Sequence, residues 1–334
     1  MSIMWVWPSQ LRSRGIIGMN RRNIRYIGRY NKRRLYPLVD DKLKTKLLAE
    51  KHGITSPALI GTVTTQFEVK QVGKMIEGHG GFAIKPAKGS GGKGILVIER
   101  VDSDGFVKPS GAKLSLEDLH RHISNILSGL YSLGGAPDVA MIEALINFDE
   151  QLSEYTYEGV PDIRVIIFRG YPVMAMMRLS TAASDGKANL HQGAVGVGLD
   201  IATGTAVRGV QFDRSRRDHP DTGHELASLR IPDWTNLLEL AAGCYEMTGL
   251  GYLGTDMVID RDRGPMLLEL NARPGLAIQM ANGEGLRSRL DLVEKQPEGM
   301  GVKARVAFAQ QHFARRGELK DLPDPELAEP CVTT

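Results

Sequence analysis

Residues 82–94 read FAIKPAKGSGGKG, and residues 266–275 read MLLELNARPG. The first is an apolar strand that ends at Lys85-Pro86 and opens into a glycine loop. Gly89, Ser90, Gly91, Gly92 and Gly94 allow φ values closed to other residues, so the backbone can aim several N–H groups at one anion. Lys85 adds a point charge on the strand before it. The loop is not the GxxxxGK[ST] run that opens a helix, because a strand follows it. Taken alone, it reads equally well as a flexible hairpin turn.

The second segment is a strand with Glu269 and Asn271 two residues apart, hence on one face. Asp256 sits mid-strand in LGTDMVI, just upstream, and antiparallel pairing of the two strands would bring it beside them. Two carboxylates and an amide are hard oxygen ligands, suited to magnesium held partly by substrate phosphates. The alternative is a set of solvated edge charges. It fits poorly with the apolar neighbours, because charges among buried strand residues need a partner. The two segments together point to an enzyme that uses a nucleoside triphosphate with magnesium.

The chain of 334 residues is 42% hydrophobic and 24% charged. That is enough for a large core in two or three lobes. The net charge of +3 gives no global field that would draw nucleic acid. The two cysteines, Cys244 and Cys331, stand far apart, which argues against a disulfide framework or zinc site and fits a reducing, cytoplasmic location. The start, MSIMWVWPSQ, lacks a charged leader and a cleavage site and is not read as a signal peptide. No apolar run approaches the roughly 20 residues that span a bilayer, so no membrane partner is expected.

Residues 1–39 form a basic arm. Eight arginines and Lys32 lie between Arg12 and Arg34, interleaved with Tyr26, Tyr30 and Tyr36. One reading is an RNA-contacting arm. The favoured one is an arm that wraps a partner subunit or the protein body, or closes over phosphates, because Ile16, Ile17, Ile24 and Ile27 suggest packing. Residues 40–140 read as a first lobe. It has a helix over 40–52 capped by Asp40 or Asp41, a second helix over 67–77, and strands at 82–86 and 94–100. A hairpin-like insertion and a helix from Ser115 to about Leu130 follow. Residues 141–290 read as a second lobe. It contains a hairpin, 161–168 with 172–179, around Arg169-Gly170. A long polar stretch, 180–225, shows few regular signals. A helix over 233–248 and strands 252–259 and 265–271 complete it. Residues 291–334 carry C-terminal helices and a tail. The composite is α+β with antiparallel pairs.

Asp162 and Arg164 share a strand face, and Arg178 ends the next strand. With Lys187, Asn189, His191 and Gln192 from the long stretch, they would suit anionic substrates and the charge that develops during group transfer. Arg164 and Arg178 read equally well as cross-strand ion-pair partners of Asp162.

In order, DDKLKTKLLAEKHGI, FAIKPAKGSGGKG, MIEAL, DIRVIIF, KANLHQG, GTDMVI and LLELNARPG resemble the ATP-grasp superfamily, and within it the RimK-type alpha-L-glutamate ligases, over roughly residues 40–286. The resemblance implies an ATP-grasp fold, with ATP between two α+β lobes. Lys42 and Lys85 would be the phosphate-binding lysines. Glu143, Ala144 and Leu145 would form the adenine hinge, with Asp162 near ribose or adenine. Arg178 would face the transferred phosphate, and Lys187 and Asn189 would reach ATP. Asp256, Glu269 and Asn271 would hold the metal, two Mg2+ (or Mn2+) ions with Glu269 bridging. Arg273 would meet the acyl-phosphate or the substrate carboxylate. Relatives carry an N-terminal α/β domain ahead of the Lys42 position, and with 41 residues there that domain is expected to be largely absent.

The activity implied is a carboxylate–amine ligase that forms an amide through an acyl-phosphate. It would act on a carboxylate donor, glutamate by family, and an amine acceptor that is a small molecule, a peptide or a protein C-terminus. The alternatives are a phosphotransferase on the same fold and a nucleotide- or RNA-binding protein without turnover. A homo-oligomer with an exchanged N-terminal arm is compatible with the sequence, and nucleic acid is the disfavoured partner.

Overall fold

A computed structural model describes residues 7–89, 91–103 and 105–315. The chain divides into two compact units. One comprises residues up to 35, 148–266 and from 270 onward. The other comprises 36–147 and the three residues 267–269.

The smaller unit is built on a four-stranded sheet. In chain order its strands are β1 (Leu59–Val63), β2 (Phe82–Pro86), β3 (Leu96–Ile98) and β7 (Ala140–Ala144), arranged β1-β7-β2-β3. All three pairings are antiparallel. The helix Leu116–Leu127 buries Leu119, Ile123, Ile126 and Leu127. That spacing is one helical stripe, and it packs with Phe82, Ile84, Ile98 and Ile142 into a single core. Ser115 and Asp118 cap it reciprocally: the Asp118 amide donates to Ser115 Oγ at 3.2 Å, and the Ser115 amide to Asp118 Oδ2 at 2.9 Å.

Of the two capping candidates, Asp41 caps the helix Lys42–Lys51, accepting from the Lys44 amide. Two expectations here shift in detail. The helix expected over 67–77 is two short ones, Gln66–Val69 and Val72–Met75, in a run of valines and glycine with low helix propensity. The strand expected over 94–100 breaks at Glu99, whose amide donates to Val107 O at 2.8 Å. Beyond the break, β4 (Arg100–Asp102), β5 (Gly105–Val107) and β6 (Lys113–Leu114) form a separate sheet.

The larger unit holds seven strands, β8 (Asp162–Phe168), β9 (Tyr171–Leu179), β10 (Val195–Leu199), β11 (Ala206–Gln211), β12 (Arg214–Arg216), β13 (Tyr252–Asp260) and β14 (Gly264–Asn271), in the order β12-β11-β10-β9-β8-β13-β14. The hairpin of β8 (Asp162–Phe168) and β9 (Tyr171–Leu179) lies near its centre. Arg169 and Gly170 both turn with positive φ, +49° and +80°, as a two-residue hairpin turn requires. A Cβ on Gly170 would lie 2.5 Å from Arg305 Nε, so a larger residue there would have to displace that guanidinium as well as adopt the positive φ. β13 (Tyr252–Asp260) is buried along its whole length, and β14 (Gly264–Asn271) closes that edge. The helices Trp234–Thr248 and Val302–His312 pack on the central strands, and Ile278–Asn282 packs on β9 and its outer neighbours. Cys244 is fully buried, and burial pushes its thiol up to about 12, which makes it a core residue.

The stretch 180–225, expected to be largely irregular, supplies three strands: β10 (Val195–Leu199), β11 (Ala206–Gln211) and β12 (Arg214–Arg216). β10 reads VGVGL. Its glycines are packing positions: a Cβ on Gly196 would meet Leu190 Cδ2 at 2.7 Å and one on Gly198 would meet Ala281 O at 2.5 Å. A strand covered on both faces, with glycine where a neighbour presses in, shows no apolar–polar alternation.

The N-terminal segment belongs to this larger unit and packs on its body. Ile17, Tyr26, Ile27 and Asn31 are buried. Tyr26 meets Phe168 edge-on at 5.5 Å and stacks with Tyr252 at 6.0 Å. Asn31 donates to Tyr252 O at 2.7 Å and Ala272 O at 3.2 Å, and accepts from the Tyr252 amide at 2.8 Å. Asn31→Ala leaves those three backbone groups buried without partners. It should cost about 2–3 kcal/mol, read as a lower urea midpoint with unchanged slope. An unchanged midpoint would show that the segment is undocked in solution.

Candidate functional site

In the smaller unit, Lys42 and Lys46 lie one turn apart on the helix Lys42–Lys51 and so share a face. β2 carries Lys85 and β7 carries Glu143, with Ala83 opposite Glu143 and Met141 opposite Lys85. Lys85 and Glu143 are therefore diagonal neighbours on one face. The Glu143 carboxylate is clamped from both sides, with Lys46 Nζ at 2.7 Å from Oε1 and Lys85 Nζ at 2.7 Å from Oε2. Burial alone would raise the Glu143 carboxyl, but the Lys85 and Lys46 charges outweigh it and hold the group below its usual range. Lys46 also donates to the Pro57 carbonyl.

The glycine loop stands beside this cluster in the chain. Lys42 Nζ donates to Gly89 O at 2.6 Å and lies 3.3 Å from Glu269 Oε1. The Lys42 amide donates to Ala87 O at 2.8 Å. A Cβ on Gly89 would overlap Pro86 at 2.3 Å, and Gly91 and Gly92 have φ of +63° and +74°. The base of the loop is tied down by buried Asp138, which accepts from the Lys88 amide at 3.0 Å and from Ser132 Oγ at 2.6 Å. Ser90 lies outside the described residues. Ala144 ends β7, its amide donating to Ala58 O, and half-buried Leu145 follows.

In the larger unit, strand register builds a ladder of alternating charge. Asp162 on β8 faces Arg178 on β9, and Arg164 on β8 faces Asp256 on β13. Arg178 Nε and Nη2 each donate to Asp162 at 2.5 Å. Arg164 Nε and Nη2 donate to Asp256 at 2.8 and 2.6 Å. Arg178 Nη2 also reaches Asp256 Oδ2 at 2.9 Å, and Asn271 Nδ2 donates to the same oxygen at 3.1 Å. Burial raises both carboxyls, but they do not share the arginines equally. Asp256 has two guanidiniums, which outweigh burial and take it down to about 2. For Asp162, burial prevails over Arg178, and the neighbouring Asp256 charge adds to it, pushing the carboxyl up to about 6. Arg178 is held above its ordinary value: burial opposes this, but Asp162 and Asp256 overcome it.

The cross-strand pairing expected for Arg164 and Arg178 is thus present, with Arg164 on Asp256 rather than Asp162. Of the three residues expected to hold metal, Asp256 and Asn271 touch, while Glu269 is grouped with the smaller unit beside Lys42. Their oxygens are of the kind magnesium takes. Glu269, with its side chain 38% exposed, is the most available of them. Asp256 oxygens already accept from two arginines and an amide. No cluster of three or more His, Cys, Asp or Glu side chains exists among the described residues. Lys187 pairs with Asp185 at 3.0 Å on the surface, and Asn189 caps a short 3-10 turn by accepting from the His191 amide. Neither joins the ladder. Arg273 is exposed just beyond β14. Sequence reasoning missed Lys46 and Asp138. The i,i+4 spacing from Lys42 would have found the first, and nothing local marks the second.

The sheets, the glycine loop and the lysines of the smaller unit belong to an ATP-grasp fold. The model of the sugar-transfer associated ATP-grasp family matches residues 21–295, and the chain belongs to that family. A probable alpha-L-glutamate ligase of Parasynechococcus marenigrum (strain WH8102) is 24% identical over 248 residues, which cover 74% of this chain and 39% of that protein. Among solved structures, the ATP-grasp ligase PsnB complexed with minimal precursor is similar at 13% identity and TM-score 0.43, over 84% of this chain and 63% of that one. D-alanyl-alanine synthetase A from Vibrio cholerae O1 biovar eltor is similar at 9% identity and TM-score 0.46, over 84% of this chain and 66% of that one. The chain spans less than two thirds of each of these three proteins.

Two ammonium groups on one buried carboxylate make the cluster asymmetric. Glu143→Gln removes the carboxylate that both buried lysines share and should cost about 3 kcal/mol. Lys46→Met leaves a one-to-one pair and should cost clearly less. Equal losses in the two variants, measured by urea denaturation, would count against the clamp.

Proposed function

We propose that the protein is an ATP- and Mg2+-dependent carboxylate–amine ligase that forms an amide through an acyl-phosphate. The observation that carries this reading is Lys42, whose ammonium bonds the glycine-loop carbonyl of Gly89 and faces Glu269. An ammonium on a glycine loop is a phosphate-binding arrangement, and a half-exposed carboxylate beside it suits the cation that accompanies phosphate. Family membership supports the same reading.

Lys42, Lys85 and the backbone of Gly89, Gly91 and Gly92 would bind the ATP phosphates, with Ser90 in the same loop. Glu143 would position Lys85, while Ala144 and Leu145 would meet adenine. Lys187, Asn189 and Asp162 would complete the nucleotide site. A substrate carboxylate oxygen attacks the γ-phosphorus, the bond to the β-phosphate oxygen breaks, and ADP leaves. The amine then attacks the acyl carbon, and inorganic phosphate departs with the bonding pair and takes up the proton that the amine nitrogen sheds. Arg178, Arg164 and Arg273 would neutralise the phosphoryl and carboxylate charge and align the reactants. Mg2+ held by Asp256, Glu269 and Asn271 would offset charge on the phosphate oxygens. No strong general base is required if the amine arrives neutral.

The test is release of ADP and phosphate from ATP with magnesium, over carboxylates and amines offered singly and in pairs. The family's association with sugar transfer puts amino sugars in the panel, and the curated relative puts glutamate there. Release that needs both partners is expected. Phosphate transfer to one partner alone would indicate a phosphotransferase instead. Glu269→Gln should reduce turnover by about a hundredfold or more with folding retained, and Lys85→Ala should chiefly weaken ATP binding. Full turnover in Glu269→Gln would remove the metal assignment.

A further inference from the structure

We infer that residues 7–34 dock the protein onto an anionic lipid surface. The segment buries Ile17, Tyr26 and Ile27 against the body and turns a different set outward. Trp7 is 72% exposed, Ile24 77%, Met19 67% and Leu11 40%. Four large apolar side chains this exposed within 18 residues is unusual, and among the described residues nothing covers them. They are interspersed with bases. Among the described residues, exposed Arg12, Arg14, Lys32, Arg33 and Arg34 form no ion pair, while Arg25 and Arg29 turn back to Glu294. No acid occurs before Asp40, and the residues preceding Trp7 read MSIMWV, apolar but for Ser2 and without a charged side chain. Arg21 and Arg25 also line a cleft of about 280 Å³ with Arg287, Lys295, Asp291 and Glu294, four bases against two acids.

Exposed apolar side chains set among unpaired arginines are the composition of an interfacial anchor: the apolar groups enter the acyl boundary and the bases meet lipid phosphates. The same surface fits RNA less well. Base stacking needs exposed rings, and among the described residues of the segment Trp7 is the one fully turned outward, while Tyr26 is fully buried and the Tyr30 hydroxyl is taken by Glu294 at 2.9 Å. Lying on a membrane does not require crossing one, and no described helix is long and apolar enough to cross. The expectation of no membrane partner rested on that second point alone.

Co-sedimentation of the full chain with phosphatidylglycerol-containing vesicles, against pure phosphatidylcholine vesicles, tests this. Binding to the first and not the second is expected, and it should fall as salt rises. Arg33→Gln/Arg34→Gln should weaken it about twenty-fivefold, from about fivefold per base. Ile24→Ser should weaken it by about tenfold or more. Both sites are exposed, so thermal melting should be unchanged. Failure to bind the anionic vesicles, sedimentation without vesicles, or displacement from them by single-stranded RNA would each overturn the proposal.

Discussion

A buried carboxylate gripped by two buried ammonium groups sets the character of the smaller unit. Glu143, Lys46 and Lys85 have side chains 6%, 9% and 15% exposed, so one carboxylate and two ammonium groups meet at low dielectric. Desolvating a charge is costly, and a lone ammonium there would release its proton or draw in an anion. Glu143 draws both lysines close, and Lys85 lies on the strand that runs into the glycine loop. The cluster joins β2, β7 and the helix Lys42–Lys51. Phe82, Ile84 and Ile142, on the same two sheet strands, contribute to the core.

The charge ladder of the larger unit is balanced where the lysine cluster is not. Two aspartates meet two arginines, and every guanidinium donor named has a carboxylate oxygen within 2.9 Å. Such a ladder holds each arginine in place on a carboxylate. Its asymmetry lies in the carboxylates: Asp256 is firmly ionised, while Asp162 sits near the threshold of holding a proton. Register alone creates the arrangement, because opposed positions on β8, β9 and β13 carry opposite charges. A one-residue slip would send the charged side chains to the other face.

Much of this was legible in the sequence, and the failures have physical reasons. The β8–β9 hairpin, the helices after Ser115 and Asp233, and the strands bearing Asp256 and Glu269 are all set by local pattern and turn chemistry. The lysine at 85, the glycine loop and the opposed arginines follow from types and spacings. What local pattern could not reveal depended on distant neighbours. β10 hides its period because Ala281 and Leu190 occupy the space of its side chains. Glu143 reads as a hinge residue until Lys46 arrives from a helix nearly a hundred residues away. Asp138 gains its place only when Lys88 and Ser132 converge on it.

The N-terminal segment shows the same limit from the other side. Its charge count is plain in the sequence, but which residues face the body is not. Two amide side chains decide that. Gln279 accepts from the Ile17 amide at 2.9 Å and donates to Ile17 O at 3.0 Å, and Asn31 does the same for Tyr252. Each side chain substitutes for a peptide group, so the segment is held by paired hydrogen bonds without joining the sheet. Docking by amides and apolar residues consumes few of the arginines. Most of the positive charge is therefore left on the outer side, where attachment to the body requires none of it.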